Sequence, residues 1–399
     1  MKKFLFIFLL VLSIHFWGLI FIPHKYNAEN LFAWLIMGVC FFLVIKKNGL
    51  SFRNAIILLF IGVLINVFSA YINQGQGPKA TLLAFDIFYF ILFYFFLHMM
   101  EYSVKYLEKI IIIFAVLYSV LYIIQVIVSP YPILDIPLYS DRGTIRLRIE
   151  GNGFLVLAYL LLLNRFFLKN DYKWLILAFG FFIILLMGGF RTLTFGALLL
   201  SMIMFLKLRP FNLGSTLLVA FVITLFVALF QIKGISNILT GMVNSTQDVI
   251  ASGENYIRFL SFKFFFKEFP INTSVYFLGS GMPGGYSPYY NLVQSYGYNF
   301  GFYWSDIGLL GLYIMIGPVA IAGILWYTLK AIFIKLPKDK FYLNMYFTYL
   351  LIVSFTTMEI FRDAGIFVVE AIGLYMIDNS LLRLQNSGAI IKQEQHLSI

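Results

Sequence analysis

Long apolar runs follow one another along almost the whole chain, and few folds can accommodate them. Each has about 15–25 residues, roughly the length of a helix that crosses a bilayer. Hydrophobic residues make up 61% of the 399 residues and charged residues only 12%, a balance that no water-soluble globule requires. We therefore predict an all-α polytopic membrane protein with about twelve transmembrane helices. The runs lie near 4–22, 28–45, 54–72, 81–100, 109–129, 151–168, 172–189, 192–206, 215–232, 305–329, 341–357 and 364–382.

The first run resembles a signal peptide in composition, because two lysines precede a short apolar stretch in "MKKFLFIFLLVLSIHFWG". No small-residue cleavage site follows it, so we expect a retained first helix. Cys40, the only cysteine, lies in the second apolar run, and no intramolecular disulfide can form.

Lysine and arginine are unequally divided between the two sides of the predicted membrane topology. Twelve spans place both termini on one side, and 18 of the 29 Lys and Arg residues lie on that side. Cytoplasmic loops carry the excess of positive charge in membrane proteins. We therefore expect cytoplasmic termini, and we read the net charge of +11 as a sign of orientation rather than of nucleic-acid binding.

One outer loop is far longer than the others and divides the chain. Within it, "ENYIRFLSFKFFFKEFP" has aromatic residues at helical spacing next to lysines, which predicts a helix along the membrane surface. An irregular segment rich in glycine and tyrosine follows. The expected parts are nine spans with an arginine-rich outer loop at 130–150 (1–232), the long outer loop (233–304), three further spans (305–382) and a cytoplasmic tail (383–399).

The cations on the outer side differ in kind from those inside. Inside they are mostly lysines, whereas six of the outer ones are arginines. Arginine presents a planar fork that binds carboxylate or phosphate at two points. This concentration predicts an anion-binding site on the outer face. The outer arginines are Arg142, Arg146, Arg148, Arg191, Arg258 and Arg362.

Three acids near these arginines are candidate general bases: Asp306, Glu150 and Glu254. Asp306 is the first choice because it opens a predicted helix, although Ser305 or Asp306 could equally serve as that helix's N-cap.

Polar residues inside the predicted spans favour the outer half of the membrane. Asp86 and Glu370 are acids in such positions, and intramembrane acids usually face a polar cavity or a partner. Structural pairs, Glu370 with Arg362 or Asp86 with an outer-loop arginine, are the alternative to a functional role.

The long loop offers tyrosines but no metal site. Tyr286, Tyr289 and Tyr290 follow a Gly-rich stretch and could contact sugar rings or mark a membrane interface. The strand-loop-helix context of a nucleotide-binding Gly-rich loop is missing. Histidines and the one cysteine are scattered without ligand spacing, so we expect no metal and no other cofactor.

Five short motifs occur in an order that resembles the O-antigen polymerase and O-antigen ligase superfamily of bacterial inner membranes. Arg148 precedes "EGNGF", Arg191 lies in "GGFRTLTFG", and Arg258 opens the long loop; "FLGSGMPGG" and "SDIGLLG" follow. The resemblance covers roughly residues 140–320. It implies a GT-C-like helical fold whose active site faces the periplasm. It also implies undecaprenyl-diphosphate-linked glycans as donor and acceptor, in addition to membrane lipids.

Within that superfamily the residues favour a polymerase of surface polysaccharide over a ligase. The ligase pattern has a histidine in the long outer loop, but His15, His24, His98 and His396 all lie elsewhere. By the same resemblance, Arg148, Arg191 and Arg258 would bind the lipid diphosphate, with Arg142, Arg146 and Arg362 as secondary candidates. The resemblance also allows a chain-length regulator and a flippase as partner proteins.

Two alternatives remain open from the sequence. One is a ligase-type glycan transferase. The other, from a different class, is a flippase or transporter of lipid-linked oligosaccharide, which would need a polar path through both halves of the membrane. The cytoplasmic halves of the runs consist almost entirely of Leu, Ile and Phe. This composition argues against a flippase or transporter.

Overall fold

A computed structural model shows a bundle of helices in which apolar side chains form one extended core. It describes residues 2–21, 26–47, 49–135, 139–141, 144–147, 149–209, 240–241, 243–244, 246–247, 250–285 and 287–397. The run at 215–232, Arg142, Arg148, His24 and Tyr286 lie outside this part. Glu254 and Arg146 are described in their backbone only.

Helices account for most of the described structure. The α-helices are α1 (Lys2–Ser13), α2 (Tyr26–Val44), α3 (Arg53–Gln74), α4 (Pro78–Ala84), α5 (Phe93–Met100), α6 (Val104–Val128), α7 (Asn152–Lys169), α8 (Tyr172–Met187), α9 (Arg191–Leu208), α10 (Ile257–Lys263), α11 (Val275–Leu278), α12 (Pro288–Phe300), α13 (Gly308–Phe333), α14 (Phe341–Ser354) and α15 (Ala364–Leu397). Two three-residue strands, β1 (Tyr139–Asp141) and β2 (Thr144–Arg146), pair antiparallel in the predicted outer loop.

Short helical turns of other types join several of these helices. The 3-10 turns are His15–Gly18, Asp86–Leu92, Gly253–Asn255, Trp304–Ile307, Lys338–Lys340 and Glu359–Phe361, and a π-helical turn spans Phe264–Glu268.

The protein is a helical membrane protein, as the composition predicts. Among the described residues, six helices are long and apolar enough to cross a bilayer, and α4 with the helical segment Asp86–Met100 makes a seventh if this pair, bent by 60°, is one span. The prediction of twelve spans is therefore reproduced only in part. The helices found for the runs near 4–22, 172–189 and 341–357 are shorter than a usual span.

Close packing of α3 against α13 depends on small residues at their interface. A Cβ atom on Gly323 would lie 2.5 Å from the backbone nitrogen of Leu59, and one on Gly62 would lie 2.3 Å from that of Ala320. Small residues let helix backbones approach closely in membranes, where packing rather than water exclusion drives association. These glycines therefore set the separation of the two helices.

Helix α13 is interrupted where Gly317 leaves helical geometry (φ 81°, ψ 167°) and Pro318 follows. Pro318 has no N–H to donate to the Ile314 carbonyl. The Gly-rich segment of the long loop supplies the missing donors: the Ser280 N–H bonds the Ile314 carbonyl at 2.7 Å, and the Gly281 N–H bonds the Met315 carbonyl at 3.0 Å. The loop is therefore docked into the membrane bundle at the break.

Asn66 on α3 forms hydrogen bonds both with the broken helix α13 and with the docked loop. Its Nδ2 donates to the carbonyls of Met315 (2.8 Å) and Leu278 (3.3 Å), while its Oδ1 accepts from the Met282 N–H (3.0 Å). All three partners are backbone groups that would otherwise be left without a bond in a region poor in water. Asn66, which the sequence predicts in the outer half of its span, thus has a structural role.

Glu370, an acid predicted to lie in the outer half of the last span, has a different partner from the predicted Arg362. It is fully buried and accepts a hydrogen bond from the Tyr327 hydroxyl at 2.7 Å. The pairing of Glu370 with Arg362 is wrong, because Arg362 binds Glu359 (Nη1 to Oε2, 3.1 Å). Asp86 begins the 3-10 turn Asp86–Leu92, and its Oδ1 accepts a hydrogen bond from the Ile87 N–H at 2.7 Å.

The helix predicted within the long loop is present as α10 and the π-helical turn Phe264–Glu268. Its aromatic residues divide between two environments. Phe259 is largely exposed, whereas Phe265 and Phe269 are buried. Its predicted place along the membrane surface stays a prediction.

We expect Gly323→Ala to destabilise the protein, because its Cβ would overlap the α3 backbone at an interface that cannot widen without loss of packing. Overpacking of this kind costs about 1–3 kcal/mol. The measurement is thermal unfolding of the purified protein in detergent. Gly180→Ala is the matched control: that helical glycine has no atom within 4 Å of its Cβ position, and alanine favours a helix by about 1 kcal/mol. Equal melting temperatures for the two variants would contradict the packing argument.

Candidate functional site

A cavity of about 610 Å³ opens at the helix ends that the sequence predicts to lie on the outer side. It lies between the start of α9, the segment before α10, the turn that leads into α13, and the segment between α14 and α15. Four regions far apart in sequence therefore share one site. Its lining includes Phe190, Arg191, Thr246, Tyr256, Arg258, Ser305, Asp306, Thr356, Thr357, Met358, Glu359 and Arg362.

Three of the predicted arginines line this cavity: Arg191, Arg258 and Arg362. Arg191 opens α9 directly after the tight turn at Gly188–Gly189, and its Nη1 donates to the Thr246 hydroxyl at 2.6 Å. Arg258 lies in the first turn of α10 and donates to the Thr356 carbonyl at 3.0 Å. The structure thus brings together guanidinium groups from three separate segments.

Arg362 differs from the other two in its surroundings. Its Nη1 lies 3.1 Å from the Glu359 Oε2 atom, and its guanidinium carbon is 5.4 Å from the centre of the Phe190 ring. Burial opposes its charged form, but Glu359 and Asp363 outweigh that effect and raise the pKa of Arg362 above the ordinary arginine value. Arg362 is therefore charged, and it forms an ion pair with the Glu359 carboxylate.

Asp306 lines the same cavity from the 3-10 turn Trp304–Ile307. The prediction that Ser305 or Asp306 caps the following helix is wrong: Ile307 occupies the N-cap position of α13, without a side-chain hydrogen bond. Gly308 packs so tightly against the Ser354 carbonyl that a Cβ would lie 2.3 Å from it, and this contact orients the turn. Within the described part of the chain, no hydrogen bond or ion pair engages the Asp306 carboxylate.

Glu359 is a site residue that the sequence analysis missed. It is only 2% exposed, yet it forms part of the cavity wall. Its Oε1 accepts from the Asn152 amide at 2.8 Å, and Arg362 binds both carboxylate oxygens at 3.1 and 3.4 Å. The available signal was the position of "TTMEIFRD" at the outer end of a predicted span, directly before one of the outer arginines.

A second polar group lies behind the cavity wall, where α7 and α15 begin. A Cβ on Gly365 would lie 2.8 Å from the Gly151 backbone, so the two helix starts touch. Glu150, predicted as a base, binds His15 (Oε2 to Nδ1, 2.8 Å) instead of lining the cavity. His15 also approaches Asn30 at 3.0 Å.

Asp363 lies between the cavity wall and this second group. Desolvation and the negative charge of Glu150, against the attraction of Arg362, raise the pKa of Asp363 to about 7. Its Oδ1 caps α15 by accepting from the Ile366 N–H at 2.9 Å. The carboxyl is therefore held close to its protonation point near neutral pH.

The remaining predicted residues are not brought to the cavity by any described contact. Tyr289 is 3% exposed, and its hydroxyl donates to the Ser280 hydroxyl and the Gly281 carbonyl at 3.0 Å. It therefore supports the docked Gly-rich segment. Tyr290 lies in the first turn of α12, where the Ser287 side chain accepts a hydrogen bond from its N–H. Glu254 lies in the 3-10 turn directly before Tyr256, a cavity residue.

Comparison of the chain with protein-family models, with curated proteins and with solved structures gives no match.

The raised pKa of Asp363 predicts a pH-dependent stability. In the folded state this carboxyl keeps its proton up to a pH near 7. In the unfolded chain, where its pKa is 3.8, it releases that proton at a lower pH. Its contribution to stability is therefore present at low pH and is lost as pH rises towards and through 7. Asp363→Asn keeps a cap acceptor and removes the titration. We expect it to raise the melting temperature at pH 8 relative to the wild type and to raise it less at pH 5, where only part of the contribution is lost. A uniform shift at both pH values would contradict the assignment.

Proposed function

We propose that the protein is a membrane glycosyltransferase that polymerises undecaprenyl-diphosphate-linked oligosaccharide repeats into O-antigen or a similar surface polysaccharide. In this proposal it has twelve spans and a GT-C-like arrangement in the bacterial inner membrane. Both termini are cytoplasmic, and the cavity faces the periplasm. The observation that carries the proposal is the convergence of Arg191, Arg258 and Arg362 with Asp306 in one cavity at the helix ends.

The composition of the cavity suits displacement of a lipid diphosphate. A hydroxyl oxygen of the acceptor glycan attacks the anomeric carbon of the donor sugar, and the bond from that carbon to the diphosphate oxygen breaks. The electron pair of that bond leaves with the lipid diphosphate, whose growing negative charge the arginines stabilise. The hydroxyl proton passes to the Asp306 carboxylate.

The distribution of cations along the helices supports the orientation. At the end of the bundle opposite the cavity, Glu108 binds Arg165 (2.7 Å) and Lys340 (2.5 Å). Lysines dominate the neighbouring helix ends, as is usual for cytoplasmic loops. The cavity therefore lies on the side where arginines replace lysines.

Gel analysis of surface polysaccharide after deletion of the gene in the native host tests the function. Loss of the ladder with retention of a single repeat is the expected result, because unpolymerised repeats can still be transferred. Loss of all attached glycan would instead indicate a ligase. An unchanged ladder would refute the proposed function.

Purified protein supplied with lipid-diphosphate-linked repeats tests the residue roles. We expect Arg258→Ala to reduce turnover by about 10²–10³-fold, as loss of a group that stabilises developing charge does. Asp306→Asn should reduce it less than Arg258→Ala does, since the leaving group is already good and charge stabilisation should supply more of the rate than proton removal. Full activity of Asp306→Asn would exclude it as the base. Normal polymerisation by both Arg191→Lys and Arg258→Lys would exclude a two-point diphosphate contact.

Cysteine labelling tests the topology in a Cys40→Ser background. Tyr298→Cys, at an 80% exposed position in α12, should react with a membrane-impermeant maleimide in intact cells. Lys335→Cys, at an exposed position beyond α13, is the matched control and should react only after lysis. The reverse pattern would invert the proposed orientation.

A further inference from the structure

The arginines of the cavity differ in how much of their charge is available to a ligand. Arg258 donates to a neutral carbonyl, that of Thr356, and no carboxylate pairs with it among the residues that the structure describes. Arg362 instead lies against Glu359 at 3.1 Å. An approaching anion therefore meets a full positive charge at Arg258, but meets both charges of an ion pair at Arg362.

The Arg362–Glu359 pair is rigidly held. Glu359 is almost completely buried and is bonded on its other side by Asn152 at 2.8 Å. Asn152 begins α7 next to Gly151, which touches Gly365 at the start of α15. The guanidinium of Arg362 also lies against the Phe190 ring. Separating the two charges would leave a buried carboxylate without its cation, which is strongly unfavourable.

A charge-balanced pair of this kind suits a sugar better than a diphosphate. Sugar hydroxyls both donate and accept hydrogen bonds and carry no charge, so they gain from the remaining N–H groups of Arg362 without repulsion from Glu359. Neighbouring lining groups have the same character: Thr356 and Thr357 supply hydroxyls, and Phe190 supplies an aromatic ring.

We propose that the cavity has two parts: an anion part around Arg258 and Arg191 for the lipid diphosphate, and a glycan part built on the Arg362–Glu359 pair for sugar hydroxyls. Asn152 is the positioning residue of the glycan part because it acts through Glu359. This inference rests on the proposed function and assigns subsites within the same cavity. It also removes Arg362 from the diphosphate ligands suggested by the sequence.

Calorimetric titration of the full-length purified protein with inorganic pyrophosphate tests the anion part without any turnover. We expect Arg258→Gln to weaken pyrophosphate binding by about tenfold or more, since a charge-assisted contact is lost. The double variant Arg362→Gln/Glu359→Gln should bind pyrophosphate within about threefold of the wild type, because it removes no net charge and leaves no unpaired buried ion.

The same variants in the polymerisation assay test the glycan part. The double variant should lower kcat/KM for lipid-linked repeats by about 10–100-fold, in the range of one or two lost hydrogen bonds to charged groups. Asn152→Ala should lower it in the same direction while leaving pyrophosphate affinity unchanged. Glu101→Gln is the matched control: it breaks an exposed pair with Lys47 outside the cavity and should change neither quantity.

Two outcomes would overturn the division into parts. One is a loss of pyrophosphate affinity in the double variant as large as in Arg258→Gln. The other is a gain of about tenfold in Glu359→Gln, which would mean that Glu359 and the diphosphate compete for Arg362. Absence of glycan transfer by the wild-type protein would instead refute the proposed function, and the pyrophosphate titrations would still decide which arginines bind the anion.

Discussion

The arrangement of the helix ends around the cavity depends on the repair of one broken helix. A backbone group without a hydrogen bond is costly in a membrane, and α13 breaks at Gly317 and Pro318 inside its apolar stretch. The break is stable because Ser280, Gly281 and Asn66 satisfy the carbonyls beside it. The long loop is thereby tied to α3 and α13 at the break.

That docking determines where the end of the loop re-enters the bundle. Gly279 lies so close to Gly317 that a Cβ on it would be 2.5 Å from the Gly317 nitrogen, and α12 follows the docked segment directly. The chain then turns through Trp304–Ile307, and Gly308 packs on the end of α14. Asp306 consequently lies beside the segment that carries Thr356 and Glu359, and the cavity forms between them.

Charge in the cavity is arranged so that few ions are left uncompensated. Glu359 is buried between Asn152 and Arg362, and buried ions persist only when paired and hydrogen-bonded. Asp363 meets the same constraint by a raised pKa rather than by a close ion pair. Arg258 and Asp306 line the cavity, and among the described residues no ion pair engages either of them.

The sequence by itself determined the class of fold and much of the site. Run length and composition are local properties, so they predict membrane helices, and the arginines stood out because their chemistry differs from that of the orienting lysines. Arg191, Arg258 and Arg362 were predicted from this difference, and Asp306 from its position at the start of a predicted helix. Only the tertiary structure decided that Glu359 belongs to the cavity, that Tyr289 supports the docked segment, and that Glu150 binds His15. Each of these depends on a partner distant in the chain, as with Asn152 and Glu359. The chemistry of a side chain shows that it needs a partner, but only the packing of the helices determines which one it meets.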